Sequence, residues 1–183
     1  KKKYNLSCLI FMALCCDMGI FVKKLISPAT NVITEALHIP GGIGTNFSIM
    51  FILIAAVLCD YKMSATLMSL VQSLIAIAIG TVGSMGMLAP IGYVIPGVVI
   101  DIVLLFSKKI GIAQAEKMVI ANGFAGVAAA LCTNIIIFRL SGPALFLYLS
   151  VSMTSGVICG IIGYQVVKGL NHRIFFQSEK TVN

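Results

Sequence analysis

Charge is what this sequence has least of. Only 10% of its 183 residues are charged, and just 6 are Asp or Glu, against the ~25% charged residues of an ordinary soluble domain. Met63 to Ile100, Met118 to Phe138 and Leu140 to Val167 contain no Asp, Glu, Lys or Arg at all. Each run exceeds the ~18 residues that suggest a membrane span, so water is excluded as the solvent for most of this surface. Metal-site spacing is missing too: there are only 2 histidines and no Cys-x-x-Cys pair. Cys8, Cys15, Cys16, Cys59, Cys132 and Cys159 all fall inside apolar runs, where a thiol reads as a small packing residue and not as a metal ligand. No GxxxxGK(S/T) string is present, so no ATP hydrolysis is expected of this chain, and no connection is long enough for a soluble catalytic domain.

What fills the chain is apolar: 59% hydrophobic residues and a mean hydropathy of +1.05. The net charge of +7 is scattered over the ends of apolar runs instead of gathered on one soluble face. That arrangement argues for membrane topology and against nucleic-acid binding. The expected fold is an all-α membrane protein, one domain over residues 1–183, a bundle of six transmembrane helices with gating outer loops. Spans are expected at Tyr4 to Val22, Thr45 to Cys59, Met63 to Gly80, Leu88 to Phe106, Met118 to Phe138 and Pro143 to Val167. A cleavable signal peptide is the rival reading of the N-terminus, but the run passes through Asp17 to Lys23 and Lys24 without a small-x-small cleavage site, which favours a retained helix. With both termini cytoplasmic, 10 of the 13 basic residues lie inside and 3 (Lys23, Lys24 and Arg139) outside, as the positive-inside bias requires. The expected location is the cell (cytoplasmic) membrane.

Two outer connections stand out. Ser27 to Gly44 is long, with Pro28, Pro40 and a Gly41-Gly42 pair, and its Asn31, Thr34, Glu35 and His38 recur at helical spacing, which suggests a short amphipathic helix. Gly80 to Gly97 is broken by repeated Gly and Pro yet uncharged. Irregular uncharged backbone near membrane depth is tolerated where protein buries it or a cavity adjoins it, so the segment is a candidate lid.

Asp17 and Asp101 are the carboxylates inside spans. Such groups are costly in lipid and usually face a bundle interior or cavity. Asn134 and Tyr148 lie at roughly the depth of Asp17, about 7 Å below the outer boundary by helical rise, so the three are expected to converge on a ligand. Glu35, His38, Asn46 and Tyr93 could close that site from above. Asp101, nearer the cytoplasmic end, reads as structural, and Gln72 and Gln165 as interhelical hydrogen-bonders. Small residues recur every four positions at Ala65, Ser69 and Ser73, at Ala121, Ala125 and Ala129, and at Ser152, Gly156 and Gly160. Such stripes serve packing within a bundle or contact with a partner subunit.

The segments IPGGIGTNFSIMF (Ile39 to Phe51), ATLMSLVQSLIAIAIG (Ala65 to Gly80) and APIGYVIPGVVIDIV (Ala89 to Val103) resemble the substrate-binding S component of energy-coupling factor (ECF) transporters, near the thiamine-precursor subfamily. The resemblance covers nearly the whole chain. It implies a binder of a vitamin, vitamin precursor or similar micronutrient, with no enzyme activity and no cofactor of its own. Such a component docks on a transmembrane coupling subunit with two ATPase subunits that use ATP, and releases its ligand inside. Loops after spans one and three gate the site in that family, which puts Glu35, His38 and Tyr93 near it. Ala13, Ala65, Ser69 and Ser73 are the candidate partner interface. The family's Ala-xxx-Ala docking face on helix one is interrupted here, because Ala13 is followed four residues later by Asp17. The alternatives are a structural or channel-forming subunit, whose pore would need polar residues repeated along one helix face, and an intramembrane enzyme, which would need paired acidic or metal-binding groups at one depth.

Overall fold

The computed structural model describes residues 6–36, 43–80, 89–137 and 142–180. Among them there is no strand; the helices are α1 (Leu6–Ala36), α2 (Ile43–Cys59), α3 (Ser64–Ala78), α4 (Ala89–Ile110), α5 (Gln114–Cys132), which runs on into a π-helical stretch at Thr133–Ile137, and α6 (Pro143–Lys180). Four stretches are long and apolar enough to cross a membrane: Leu6–Ala29, Pro90–Ile110, Gln114–Ile135 and Pro143–Asn171. α2 and α3 are shorter, at 17 and 15 residues. They extend roughly 26 and 22 Å, less than the ~30 Å of a hydrocarbon core.

The bundle has an apolar core like a soluble protein's but also an apolar exterior. Large apolar side chains face outward on α1, α3 and α6, among them Leu14, Phe21, Leu74, Phe146 and Ile158, each more than half exposed. Asn46, Gln72, Asn122 and Asn134 are at most 1% exposed. Lipid is the medium in which that distribution is stable, because apolar surface costs nothing there while a bare amide costs several kcal/mol. α2 sits at the centre and packs against each of the other five helices. Its run Ile52 to Ala56 is buried on every side, which explains why its hydrophobicity goes all the way round.

Small residues let the outer helices close on one another. Ala121, Ala125 and Ala129 of α5 are buried, and on another face of the same helix Val119, Asn122 and Gly123 meet Gly156 and Gly160 of α6. A Cβ on Gly160 would stand 2.7 Å from the Cα of Val119, and one on Gly156 3.0 Å from the Asn122 carbonyl oxygen. The stripe Ala65, Ser69 and Ser73 of α3 is buried as well, with Ala65 and Ser69 against Gly97 of α4. The stripes therefore serve packing inside this chain.

The segment after the first span differs from its expected form. α1 does not stop near Val22; it carries Pro28 within it and continues to Ala36. The three- and four-residue spacing of Asn31, Thr34 and Glu35 belongs to the last turns of this one helix, not to a separate amphipathic helix in a loop. One proline removes a single backbone donor, and the uninterrupted helical sequence on either side sustains the rest.

Replacing Gly160 by Ala is expected to push α5 and α6 apart, at a cost of about 1–3 kcal/mol from overpacking. Gly169→Ala, nine residues on in the same helix with no atom within 4 Å of the added methyl, is expected to be neutral or to gain up to about 1 kcal/mol of helix propensity. Thermal unfolding in detergent orders the two; equal melting temperatures would remove the close-packed seam.

Candidate functional site

α1 turns one stripe into the bundle: Met12, Cys15, Cys16, Gly19 and Ile20 are buried, and Lys23 continues the stripe half-buried. Gly19 is needed there, since a Cβ at that position would stand 2.7 Å from Nε2 of Gln72. The room left by the missing side chain lets the Gln72 amide cross from α3 and donate to the Cys16 carbonyl at 3.2 Å and to Oγ of Ser48 on α2 at 3.0 Å. One turn further along α1, Nζ of Lys23 donates to the hydroxyl of Tyr93 on α4 at 3.0 Å and lies 4.4 Å from the ring centroid, a geometry in which the ring's negative face also attracts the cation. Its neighbour Lys24 is exposed.

These groups border a cleft at the end of the bundle where α2 and α4 begin and α3 and α5 finish. Lys23, Thr45, Ser48, Gln72, Tyr93 and Thr133 supply polar groups, while Ile49, Ile52 and Pro96 supply an apolar floor. The cleft is open, with about 30 Å³ in which the centre of a water-sized sphere can sit, within about 400 Å³ of empty space counted out through the mouth. The inner part admits a small polar head group, since a single water needs ~10–15 Å³. A larger body would occupy the mouth.

The sequence-derived candidates are distributed around this cleft unequally. Tyr93 borders it. Asn134 follows Thr133 in the π-helical stretch, donates to the Ala130 carbonyl at 2.8 Å, and lies close enough to Tyr148 of α6 to interact with its hydroxyl. π-helical stretches of this kind are common beside functional sites. Asn46 faces the opposite side of α2: its amide donates to the Ser152 carbonyl at 2.9 Å and to Ser155 Oγ, with Oδ1 against Gly126, so it ties α2 to α6. Asp17 joins none of these. It is exposed, without a hydrogen bond or ion pair among the described residues, on the outward face of α1 with Leu6, Ile10, Ala13, Leu14, Met18 and Phe21. Asn134 and Tyr148 are thus brought together, and Asp17 is on the other side of its helix. Glu35 lies in the last turn of α1, its side chain outside the described residues, as is all of His38.

Lys23, Ser48, Gln72 and Thr133 border the cleft without having been singled out for it. Gln72 reads from sequence as an interhelical hydrogen-bonder, and it is one. Lys23 reads as a topological charge. The signal that distinguishes it from Lys24 is register alone: it lies four residues after Gly19 and seven after Cys16, on the inward stripe.

A second hollow, about 70 Å³, opens at the far end of the bundle beside Asp60, Lys62, Asp101, Lys108 and Lys117. Its carboxylates are already engaged. Asp60 pairs with Lys108. Asp101 accepts from the backbone N–H groups of Ala65 and Thr66 at 3.2 and 2.7 Å and from the Thr66 hydroxyl at 2.6 Å. Met63, the residue preceding α3, gives no side-chain cap, so a carboxylate on α4 satisfies the orphan donors of α3 in trans. No group of three or more His, Cys, Asp or Glu residues that could hold a metal occurs among the described residues.

No family model, curated protein or solved structure matches this chain.

Asp101→Ala is expected to lower stability by about 1–3 kcal/mol, because it leaves two buried backbone donors bare. Asp101→Asn, which keeps one acceptor, is expected to fall between. Denaturation in detergent checks the order; wild-type stability in both variants would reject the trans cap.

Proposed function

We propose that this chain is the membrane-embedded substrate-binding subunit of an ECF-type importer. It spans the membrane six times with both termini in the cytoplasm, captures a vitamin, vitamin precursor or similar micronutrient at the cleft beside Tyr93, and delivers it inward together with a transmembrane coupling subunit and two ATPases. The observation that carries this reading is the cleft. Polar side chains from α1, α2, α3, α4 and the π-helical end of α5 converge on a small recess at one end of an otherwise apolar bundle, and a convergence of that kind is what a ligand site requires.

The distribution of charge supports the orientation. Lys62, Lys108, Lys109 and Lys117 cluster at the Asp60 end against Lys23 and Lys24 at the cleft end, so the positive-inside bias sets the cleft outside. α1 supports the need for a partner. Asp17 sits near the middle of the Leu6–Ala29 stretch on an exposed apolar face, and a mid-membrane Asp costs ~2.5–3.5 kcal/mol unless another group meets it. Of the four sequence-derived interface residues, Ala13 alone shares that outward face, Ala65, Ser69 and Ser73 being buried.

The experiment is mass spectrometry of the protein purified in mild detergent. A small organic molecule is expected to co-purify, to be lost in a Tyr93→Ala, Gln72→Ala double variant, and to be transported into vesicles only when coupling and ATPase subunits and ATP are supplied. Transport by the chain alone would reject the energy-coupled role, and an empty cleft in every preparation would reject binding.

A further inference from the structure

Among the described residues, three hydrogen-bond donors at the cleft have no acceptor to use them. Lys23 is the only charged residue among those described at the cleft, and its ammonium, with three protons to give, meets among them only the neutral Tyr93. The Tyr93 hydroxyl accepts from Lys23, which leaves its own proton to be donated elsewhere. The Ser48 hydroxyl accepts from Gln72, which leaves its proton in the same condition. Neither Asp17 nor Asp101, the carboxylates described on these two helices, answers these groups. Asp17, six residues before Lys23, is on the outward face of α1, and Asp101, two turns beyond Tyr93, is held by the first turn of α3. Lys24, the next residue, is exposed to the surroundings, as the charged heads of long basic side chains usually are.

We propose that the cleft takes an oxyanion, the carboxylate or phosphate of a small organic molecule, with Lys23 as counter-ion and Tyr93 and Ser48 as hydrogen-bond donors to it. A cation half-buried at the rim of an apolar bundle is unfavourable without a counter-charge, and bonds to a charged acceptor are the strong ones. The inner 30 Å³ suits such a head group, and Ile49, Ile52 and Pro96 suit an apolar body behind it. The inference rests on the substrate-binding reading and deepens it by fixing the sign of the ligand's charge, opposite to what Asp17 in the site would have implied.

Differential lysine labelling separates the outcomes. Full-length protein in nanodiscs of phosphatidylcholine is treated with an amine-reactive reagent in the presence of nicotinate, nicotinamide, 3-(aminomethyl)pyridine or phenyl phosphate, and modification of Lys23 and Lys24 is read by peptide mass spectrometry. Nicotinate or phenyl phosphate at about ten times its Kd is expected to slow Lys23 labelling by about tenfold, through occupancy of the cleft, and to leave Lys24 unchanged. Protection without any soluble anion, only in phosphatidylglycerol nanodiscs, would support the same oxyanion chemistry with a lipid headgroup as its source. Equal protection by the neutral or cationic pyridine would overturn the oxyanion while keeping the cleft as a binding site. Absence of protection by any compound would overturn the oxyanion, and an empty cleft in the co-purification experiment would then remove the binding site as well. Lys23→Gln, which keeps a donor but not the charge, is expected to lose about tenfold in affinity for nicotinate, and unchanged affinity would count against the proposal.

Discussion

The structure depends on one constraint: a polar group carried into an apolar helix must find its partner inside the bundle. Gln72 finds Cys16 and Ser48, Asn46 finds Ser152 and Ser155, Asn122 donates to the Gly156 carbonyl, and Asp101 holds the start of α3. Each of these bonds joins two helices, so the few polar residues also fix which helices are neighbours. In lipid, where apolar contact supplies little preference between helix pairs, such bonds and the close approach of small residues set the arrangement.

Asp17 and Lys23 of α1 stand outside that rule among the described residues. Lys23 points into the cleft with spare donors, and Asp17 is presented on the outward apolar face with no described residue to meet it. They are six residues apart on one helix yet on different faces. A charge that the fold leaves unsatisfied at membrane depth is a place where something else is expected to bind. On the proposed function, one face would meet a small ligand and the other a protein partner, which are the two encounters that a substrate-binding subunit must make.

Much of the fold is legible in the sequence because charge-free runs and small-residue stripes are periodic signals. The starts of α2, α3 and α6 fall within two residues of where the apolar runs begin, and the Ala and Gly stripes lie where helices touch. The length of α1 is not legible, because Pro28 signals a break that a single lost hydrogen bond does not enforce. The candidate site is legible only in part. Depth can be counted along a helix, which is how Asn134 and Tyr148 come to be assigned one height. Facing cannot be counted when both faces of a helix are apolar: α1 has no polar side to betray its orientation, nothing local separates Asp17 from Asn134, and the register that sets Lys23 apart from Lys24 has meaning only once the inward stripe is known. The trans cap from Asp101 is invisible for the same reason, since it depends on α4 meeting the start of α3.

The facing of α1 is therefore the claim on which the site and the partner surface both depend. Spin labels at Asp17→Cys and Lys23→Cys, in a background whose native cysteines are replaced, report it directly through power saturation in liposomes. The expected result is high oxygen and low nickel-chelate accessibility at position 17 and the reverse at position 23. Water accessibility at position 17 with a lipid-exposed position 23 would contradict it.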